Sequence, residues 1–524
     1  MPYTAPIFHD AGHSRPLRFE LRLERPFQDA VRSIARAATA SKRKDALENT
    51  EIALSVILGN LLRAHYRDPN RFVSVPRGNG KHRTGPFNPY GLGSRAVRKA
   101  IHHLLNADPA YVETMGGNKN PETKAGYYTR LRATKRLVDE LEACLIVKDD
   151  TSDGLAMVVR PHSLFHDRLY SVVELPIIRL KPKKEKKRKN EEKNDGDPKD
   201  FLPLPDSPCV ARMESNLARY NDFLRDHWVD LLIPDDEFLA LQRRSKGDPD
   251  RYFGDPGRPI DLDLFVKRRL HRVFNNGTLD HGGRFYGGWW QNIPKRYRAR
   301  ITINWAPTVE IDYSSMHPNM LYAMEGKTAP KDCYALDGFP ENDRDLLKTT
   351  FQKLLNAEGR IQPPLSDKLP EGWNWNDILD GLQSLHEPIS KYFGKGKGIE
   401  LQRLDSDIAE QVILRMMEHR TLALPVHDSF IVHFTRVDLL QQVMREVYIE
   451  QVGKETGFKV KTEWLERAIP AKAYELNAVG AYNIEDTIAD LSKGPEYEKY
   501  RRRYKDFMSV IGEGWGHRHS FITP

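Results

Sequence analysis

Apolar and polar residues along this chain fall into short periodic runs that predict its elements. Two runs alternate with period two, and each ends on an aspartate. Val309 and Ile311 lead to Asp312, while Leu422, Leu424 and Val426 lead to Asp428; both runs predict strands. Two stretches between them repeat with helical spacing. Over 344–356, Arg344, Lys348, Gln352 and Asn356 recur every fourth residue, opposite an apolar side of Leu346, Leu347, Phe351, Leu354 and Leu355. From Leu401 to about His419, the apolar side is Leu404, Ile408, Val412, Ile413, Met416 and Met417.

The N-terminal third has its own pattern. Glu51–Tyr66 predicts a helix, and Ser94–Asn106 a second one, with Ser94 as N-cap and Val97, Ile101, Leu104 and Leu105 inward. Ala110–Met115 reads as a strand, Gly116–Gly126 as a polar wing, and Thr129–Cys144 as a helix bearing Arg130, Arg132, Lys135 and Arg136. Helix, helix, strand and wing follow the order of a winged helix-turn-helix, whose second helix reads a nucleic-acid groove. Further on, 212–269 reads as mostly helical and charged, with Trp228, Leu231 and Leu232 to pack. Asp438–Val452 predicts an amphipathic helix and Phe458–Trp464 a strand.

Composition adds boundaries. The segment Lys181–Asp200 has almost no apolar residue and reads as a flexible linker. With 524 residues there is room for two or three domains, and a net charge of +8 suits a polyanionic partner. Three scattered cysteines, Cys144, Cys209 and Cys333, give neither a disulfide framework nor a zinc pattern and fit a reducing cytoplasm. The N-terminus is polar and broken by prolines, and no apolar run approaches 18 residues; a soluble chain with no membrane partner is expected.

The chemistry concentrates at the two aspartates. A carboxylate ending an apolar strand costs stability unless it is hydrogen-bonded or holds a cation. Two of them brought together repel, so a cation between them is expected. A lone strand-end aspartate otherwise serves as a turn or cap residue, and the surrounding residues have to decide.

Those residues run from Gly282 to Asn304. Arg284 follows two glycines; then come Gln291-Asn292-Ile293-Pro294, a basic stretch, and Asp312-Tyr313-Ser314. This succession resembles the entry to the palm of family A DNA polymerases, where a GR pair, a QNIP segment and a DYS strand end follow at similar spacing. Val426-His427-Asp428 resembles the family's third motif, a tight His-Asp hairpin. His-Asp-Ser-Phe is also close to the form in phage-type single-subunit RNA polymerases, which share the palm. The 344–356 helix resembles the fingers helix, and Gln402 and Asp407 match the Gln and Asp of the family's QGTAAD element.

The resemblance implies an α+β right-hand palm with reduced fingers and thumb, behind a winged-helix-like domain. It implies template-directed nucleotidyl transfer with two Mg²⁺ ions on Asp312, Asp428 and the main-chain carbonyl of Tyr313. Arg344, Lys348, Gln352, Asn356 and His317 would meet the nucleoside triphosphate; Arg284, Gln291, Gln402 and His427 would meet the DNA template–primer. Two departures bear on sugar choice. The family's fingers helix ends in Tyr-Gly where this chain has Asn356-Ala357, and its Glu five residues after the first Asp is replaced by His317. An RNA-synthesising primase or RNA polymerase on the same palm therefore stays open. So do a non-catalytic DNA-binding regulator and a two-metal nuclease using Glu310. No acidic motif of a proofreading exonuclease is visible. The expected map is a polar arm over 1–50, the winged-helix-like domain over 51–180 and the linker over 181–200. A thumb-like region over 201–270, palm and fingers over 271–480, and an extension over 481–524 complete it.

Overall fold

A computed structural model describes residues 14–19, 21–23, 27–38, 44–67, 69–75, 88–115, 129–144, 170–172, 176–183, 201–233, 237, 241, 269–304, 306–363, 369–453 and 458–463. The wing at 116–126, all but three residues of the expected linker, most of 234–268 and the C-terminal extension lie outside the described residues. Among the described residues, no helix is long and apolar enough to cross a membrane.

Two hydrophobic cores organise the chain, a mixed α/β protein. The first is built from β1 (Ser14–Pro16), β2 (Leu21–Leu23), α1 (Gln28–Ala38), α2 (Lys44–Arg67), β3 (Phe72–Val75), α3 (Ser94–Asn106), β4 (Val112–Met115), β5 (Thr129–Ala133), α4 (Lys135–Ala143) and β6 (Tyr170–Val172). Four strands pair in the order β1-β3-β5-β4, and β2 pairs separately with β6. Two expectations change here. The expected polar arm contributes core residues: Leu17, Phe19, Leu21, Leu23, Phe27, Val31 and Ile34 are buried here. Their period-two spacing up to Leu23 is a strand signal masked by the arginines between them. Thr129–Cys144 is not one helix. Arg130 and Arg132 lie on β5, which pairs with both neighbours, and the helix starts only after Thr134, whose Oγ1 accepts from the Leu137 amide.

The second core begins earlier than the expected linker. β7 (Ile178–Leu180) runs parallel to β9 (His271–Phe274), which pairs antiparallel with β10 (Gly282–Tyr286). The boundary between the cores therefore precedes Ile178, because the alternating Ile178-Arg179-Leu180 buries its apolar residues here. Between β7 and β9 come α5 (Pro208–Arg225) and β8 (Val229–Leu231). The expected thumb-like region thus supplies an edge strand, and Tyr220 on α5 donates to the Ala423 carbonyl at 2.6 Å.

The remaining elements are β11 (Ile301–Ile303), β12 (Ala306–Tyr313), α6 (Met316–Met324), α7 (Arg344–Asn356), α8 (Trp375–Leu385), α9 (Gly398–Glu418), β13 (Ala423–Val426), β14 (Ser429–His433), α10 (Val437–Val452) and β15 (Val460–Glu463). β12 is the axis of a six-stranded sheet ordered β13-β14-β12-β11-β8, and β15 also pairs with it. Its inward residues Val309, Ile311 and Tyr313 are buried, with the Tyr313 ring among Phe430, Tyr448 and Phe458. Gly283 shows why two glycines precede Arg284. Its φ is +84°, and a β-carbon would sit 2.7 Å from the Phe274 ring and 2.9 Å from Ser406 Oγ. Only glycine lets β10 lie this close to α9.

Candidate active site

The two strand-end aspartates come together through backbone pairing. Asp312 lies opposite Ser429 in the β12–β14 ladder, and the Tyr313 amide donates to the Asp428 carbonyl at 3.2 Å. Val426 pairs with Ser429, so β13 and β14 are joined by His427 and Asp428 alone. His427 takes a φ of +58°, a left-handed conformation that His tolerates better than most residues. The turn leaves Asp428 half-buried, with no hydrogen bond or ion pair from its carboxylate among the described residues.

Glu310, two residues before Asp312 on the same face, is already engaged. Arg298 grips it as a fork at 2.8 and 3.0 Å, and Ser429 Oγ donates to it at 2.6 Å. All three are buried, so Glu310 anchors the sheet end and leaves the outer position to Asp312.

Arg284 and His317 meet over another carboxylate, outside the matched motifs. Asp405 on α9 is only 1% exposed. It accepts from Arg284 Nε at 3.1 Å to each oxygen, from Arg284 Nη2, and from His317 Nε2 at 2.8 Å. Burial alone pushes the Asp405 carboxyl up, but the His317 hydrogen bond and the Arg284 charge outweigh it and hold it below the ordinary range. Burial likewise works against the Arg284 charge, and Asp405, with Asp428 farther off, more than restores it. Arg284 is therefore held by a structural carboxylate and also feels the charge of Asp428. Asp407, matched by spacing to the family's Asp, instead pairs with Arg272 and Arg403.

Gln291 is buried and fully used. Its amide donates to the Phe285 and Pro425 carbonyls and accepts from the Gly288 amide, bracing the turn beneath the site. It has no group left for nucleic acid. Gln402 is half-buried on α9 with no side-chain partner among the described residues.

The 344–356 helix, α7, buries Leu347, Phe351 and Leu355 and leaves Lys348, Gln352 and Asn356 exposed. Asn356 Nδ2 donates to the Gln352 carbonyl at 2.8 Å. Arg344 starts the helix and forks onto Asp332 at 2.7 and 2.9 Å, with its guanidinium over the Tyr334 ring. Tyr334 is itself buried, with the Phe351 ring beside it. Burial raises its pKa, with Arg344 pulling down and Asp428 pushing up. Asp312, Asp428, His427, Arg284 and His317 thus gather around one sheet end, while Arg344 is engaged with Asp332 and Tyr334. Asp332, Asp405 and Tyr334 were the residues missed. Asp405 had a signal: it continues the buried stripe Leu401, Ile408, Val412, where an acid has no place unless paired. Asp332 sits in a loop and had none.

No protein-family model and no curated protein matches the chain. Among solved structures, it is similar to the POL domain of Pol1 from M. smegmatis in complex with DNA primer-template and dNTP. Identity is 13%, the TM-score is 0.28, and the match covers 48% of this chain. The chain spans about half that domain's length, 51%. A likeness this loose carries no argument, and the functional reading rests on the residues.

Proposed function

We propose that the chain transfers nucleotidyl groups to a nucleic-acid 3′ end, as a template-directed DNA polymerase. One observation carries this reading: Asp312 on β12 lies opposite Ser429, the Asp428 turn closes beside it, and the Asp428 carboxylate makes no hydrogen bond or ion pair among the described residues. The donor set fits Mg²⁺, which takes one or two carboxylates and completes its shell with water and substrate phosphates. Among the described residues no group of three or more His, Cys, Asp or Glu is placed to hold a metal ion, so water and substrate oxygens would have to complete the shell. Held by Asp312, Asp428 and the Tyr313 carbonyl, two such ions would supply a more acidic 3′-hydroxyl and charge stabilisation at the transferring phosphate.

The chain's own residues do the rest. Arg344, as a bidentate fork, and Lys348, as a point charge on the same helix face, bind the triphosphate. Gln352 and Asn356 extend that face toward the nucleotide. His427 lies against the 3′ end, Gln402 meets the template–primer, and Arg284 is held by Asp405 beside both. Glu310 is held by Arg298 and Ser429, which argues against the nuclease reading that would use it.

Ribonucleotide use is a second reading with its own support. Asp405, an ionised acceptor, requires His317 Nε2 to donate, while Nδ1 has no partner among the described residues. A polar ring edge of this kind meets a 2′-hydroxyl more readily than an apolar wall does.

The N-terminal core supports a winged-helix reading. Strands β3-β5-β4 adjoin, and the hairpin β4–β5 follows α3 directly. Arg95, Arg98 and Lys99 on α3 are exposed and unpartnered among the described residues, whereas Lys135 and Arg136 on α4 are neutralised by Asp139 and Glu140. The α3 face is therefore the one assigned to phosphates. Primer extension with each deoxy- and ribonucleotide, with and without Mg²⁺, tests the whole reading. Absence of any incorporation by the wild-type chain refutes it.

A further inference from the structure

Tyr286 is a large aromatic residue exposed beside the site, at 38%. It ends β10, two residues after Arg284, so the two side chains leave the strand on one face while Phe285 packs inward. Its ring centroid lies 6.2 Å from that of His427, close to edge-on at 68°, and 6.2 Å from that of His271. His427 immediately precedes Asp428 in the two-residue turn. The next two positions, Gly287 and Gly288, have no side chain to cover the ring. Neither tolerates one: a β-carbon at Gly287 would sit 2.4 Å from the Arg269 carbonyl, and one at Gly288 2.4 Å from the Trp290 ring.

We propose that Tyr286, braced by His427, is a stacking platform for the terminal base of the nucleic-acid strand whose 3′ end lies at Asp428. This rests on the nucleotidyl-transfer reading and adds a binding residue to it. An exposed phenol ring fits a base, because every base offers a π face and stacking needs no sequence. The surroundings fit the rest of a nucleotide. Burial, with Arg179, Lys181 and Arg269 close by, pushes His271 down to about 3, so that side is a neutral ring within a cationic neighbourhood suited to phosphates. The ring against Tyr286 is itself fixed in the turn, and its Nδ1 is a buried atom with no hydrogen-bond partner among the described residues. A surface tyrosine with no role would leave binding and base environment unchanged on removal.

The test uses the full chain and a primer–template with 2-aminopurine at the primer 3′ end, compared with the probe placed inside the duplex, in Ca²⁺ to hold off chemistry. Wild type is expected to change the terminal probe's fluorescence on binding. Tyr286→Ala should abolish that change and weaken binding about tenfold, within the range of a lost base–aromatic stack. Tyr286→Phe should keep both, because the ring and not the hydroxyl carries the contact. Wild-type binding and extension with an unchanged terminal signal and affinity in Tyr286→Ala overturns the platform alone. So does an equal loss in Tyr286→Phe. A wild-type chain that neither binds nor extends the primer refutes the underlying reading and the platform with it.

Discussion

Replacing Asp405 with alanine removes the one carboxylate that neutralises Arg284 at the centre of the site. Arg284 makes three of its contacts to this group, and His317 makes a fourth. With Asp405 1% exposed and the Arg284 side chain 20% exposed, no water shell replaces the lost partner. Removing one member of a buried ion pair costs about 3–5 kcal/mol, most of it from the stranded charge. Arg284 is then left with Asp428 as its nearest carboxylate of influence, so cation binding at that turn should weaken as well. Urea unfolding followed by tryptophan fluorescence reads the stability, since Trp289 and Trp290 are fully buried in the same core. Asp405→Ala should lower stability by about 3–5 kcal/mol. The double variant Arg284→Met, Asp405→Leu should recover most of it, because no charge is then left unpaired. A loss below about 1 kcal/mol, or a double variant no better than Asp405→Ala, would refute the argument that this pair neutralises a buried charge.

The Arg344–Asp332 pair is about 40% exposed on each side and so is weak; Asp332→Asn frees the fork and should lower the nucleotide KM about two- to fivefold, Arg344→Ala should raise it, and a KM unmoved in both contradicts the triphosphate assignment. His271 and His433 are each pushed by burial, with nearby cations, from 6.5 down to about 3. The unfolded chain then binds protons that the folded one does not, so stability present above pH 6.5 is lost on acidification, by about 1.4 kcal/mol per pH unit for each. Urea midpoints measured from pH 7 to 4.5, above the range where Asp405 titrates, should fall steadily, and a flat profile is the contrary result. On α3, Arg98→Ala with Lys99→Ala should weaken nucleic-acid binding uniformly across sequences and reduce the log–log salt slope by about 1.8; an unchanged slope moves the phosphate contacts elsewhere.

Periodicity located the elements of the second core well where one face is buried. The 344–356 helix and the helix after Gly398 needed only their apolar stripes, and two alternating runs located β12 and the β13–β14 hairpin. It failed where local pattern and tertiary pairing disagree. Thr129–Ala133 carries helix-compatible arginines but is fixed as a strand between β3 and β4. Ile178–Leu180 is three residues beside a charged run, too short to signal the parallel partner about ninety residues away. Asp312 and Asp428 stood out as carboxylates closing apolar runs, and the tight turn at His427 and Asp428 came from the family resemblance and not from periodicity. The partners of Arg284, Arg344 and Glu310 were not, because sequence spacing says nothing about which distant carboxylate a cation meets.

Single-nucleotide incorporation on a defined primer–template, comparing wild type with Asp312→Asn and Asp428→Asn in Mg²⁺, bears most directly on the central claim. Both substitutions keep side-chain size and remove one negative charge, so folding and primer binding should survive. Wild type should extend the primer only with the divalent ion present, and each variant should lose at least about a thousandfold in rate, several kcal/mol of transition-state stabilisation. Near-wild-type extension by either variant would contradict the assignment of these two aspartates as the catalytic pair.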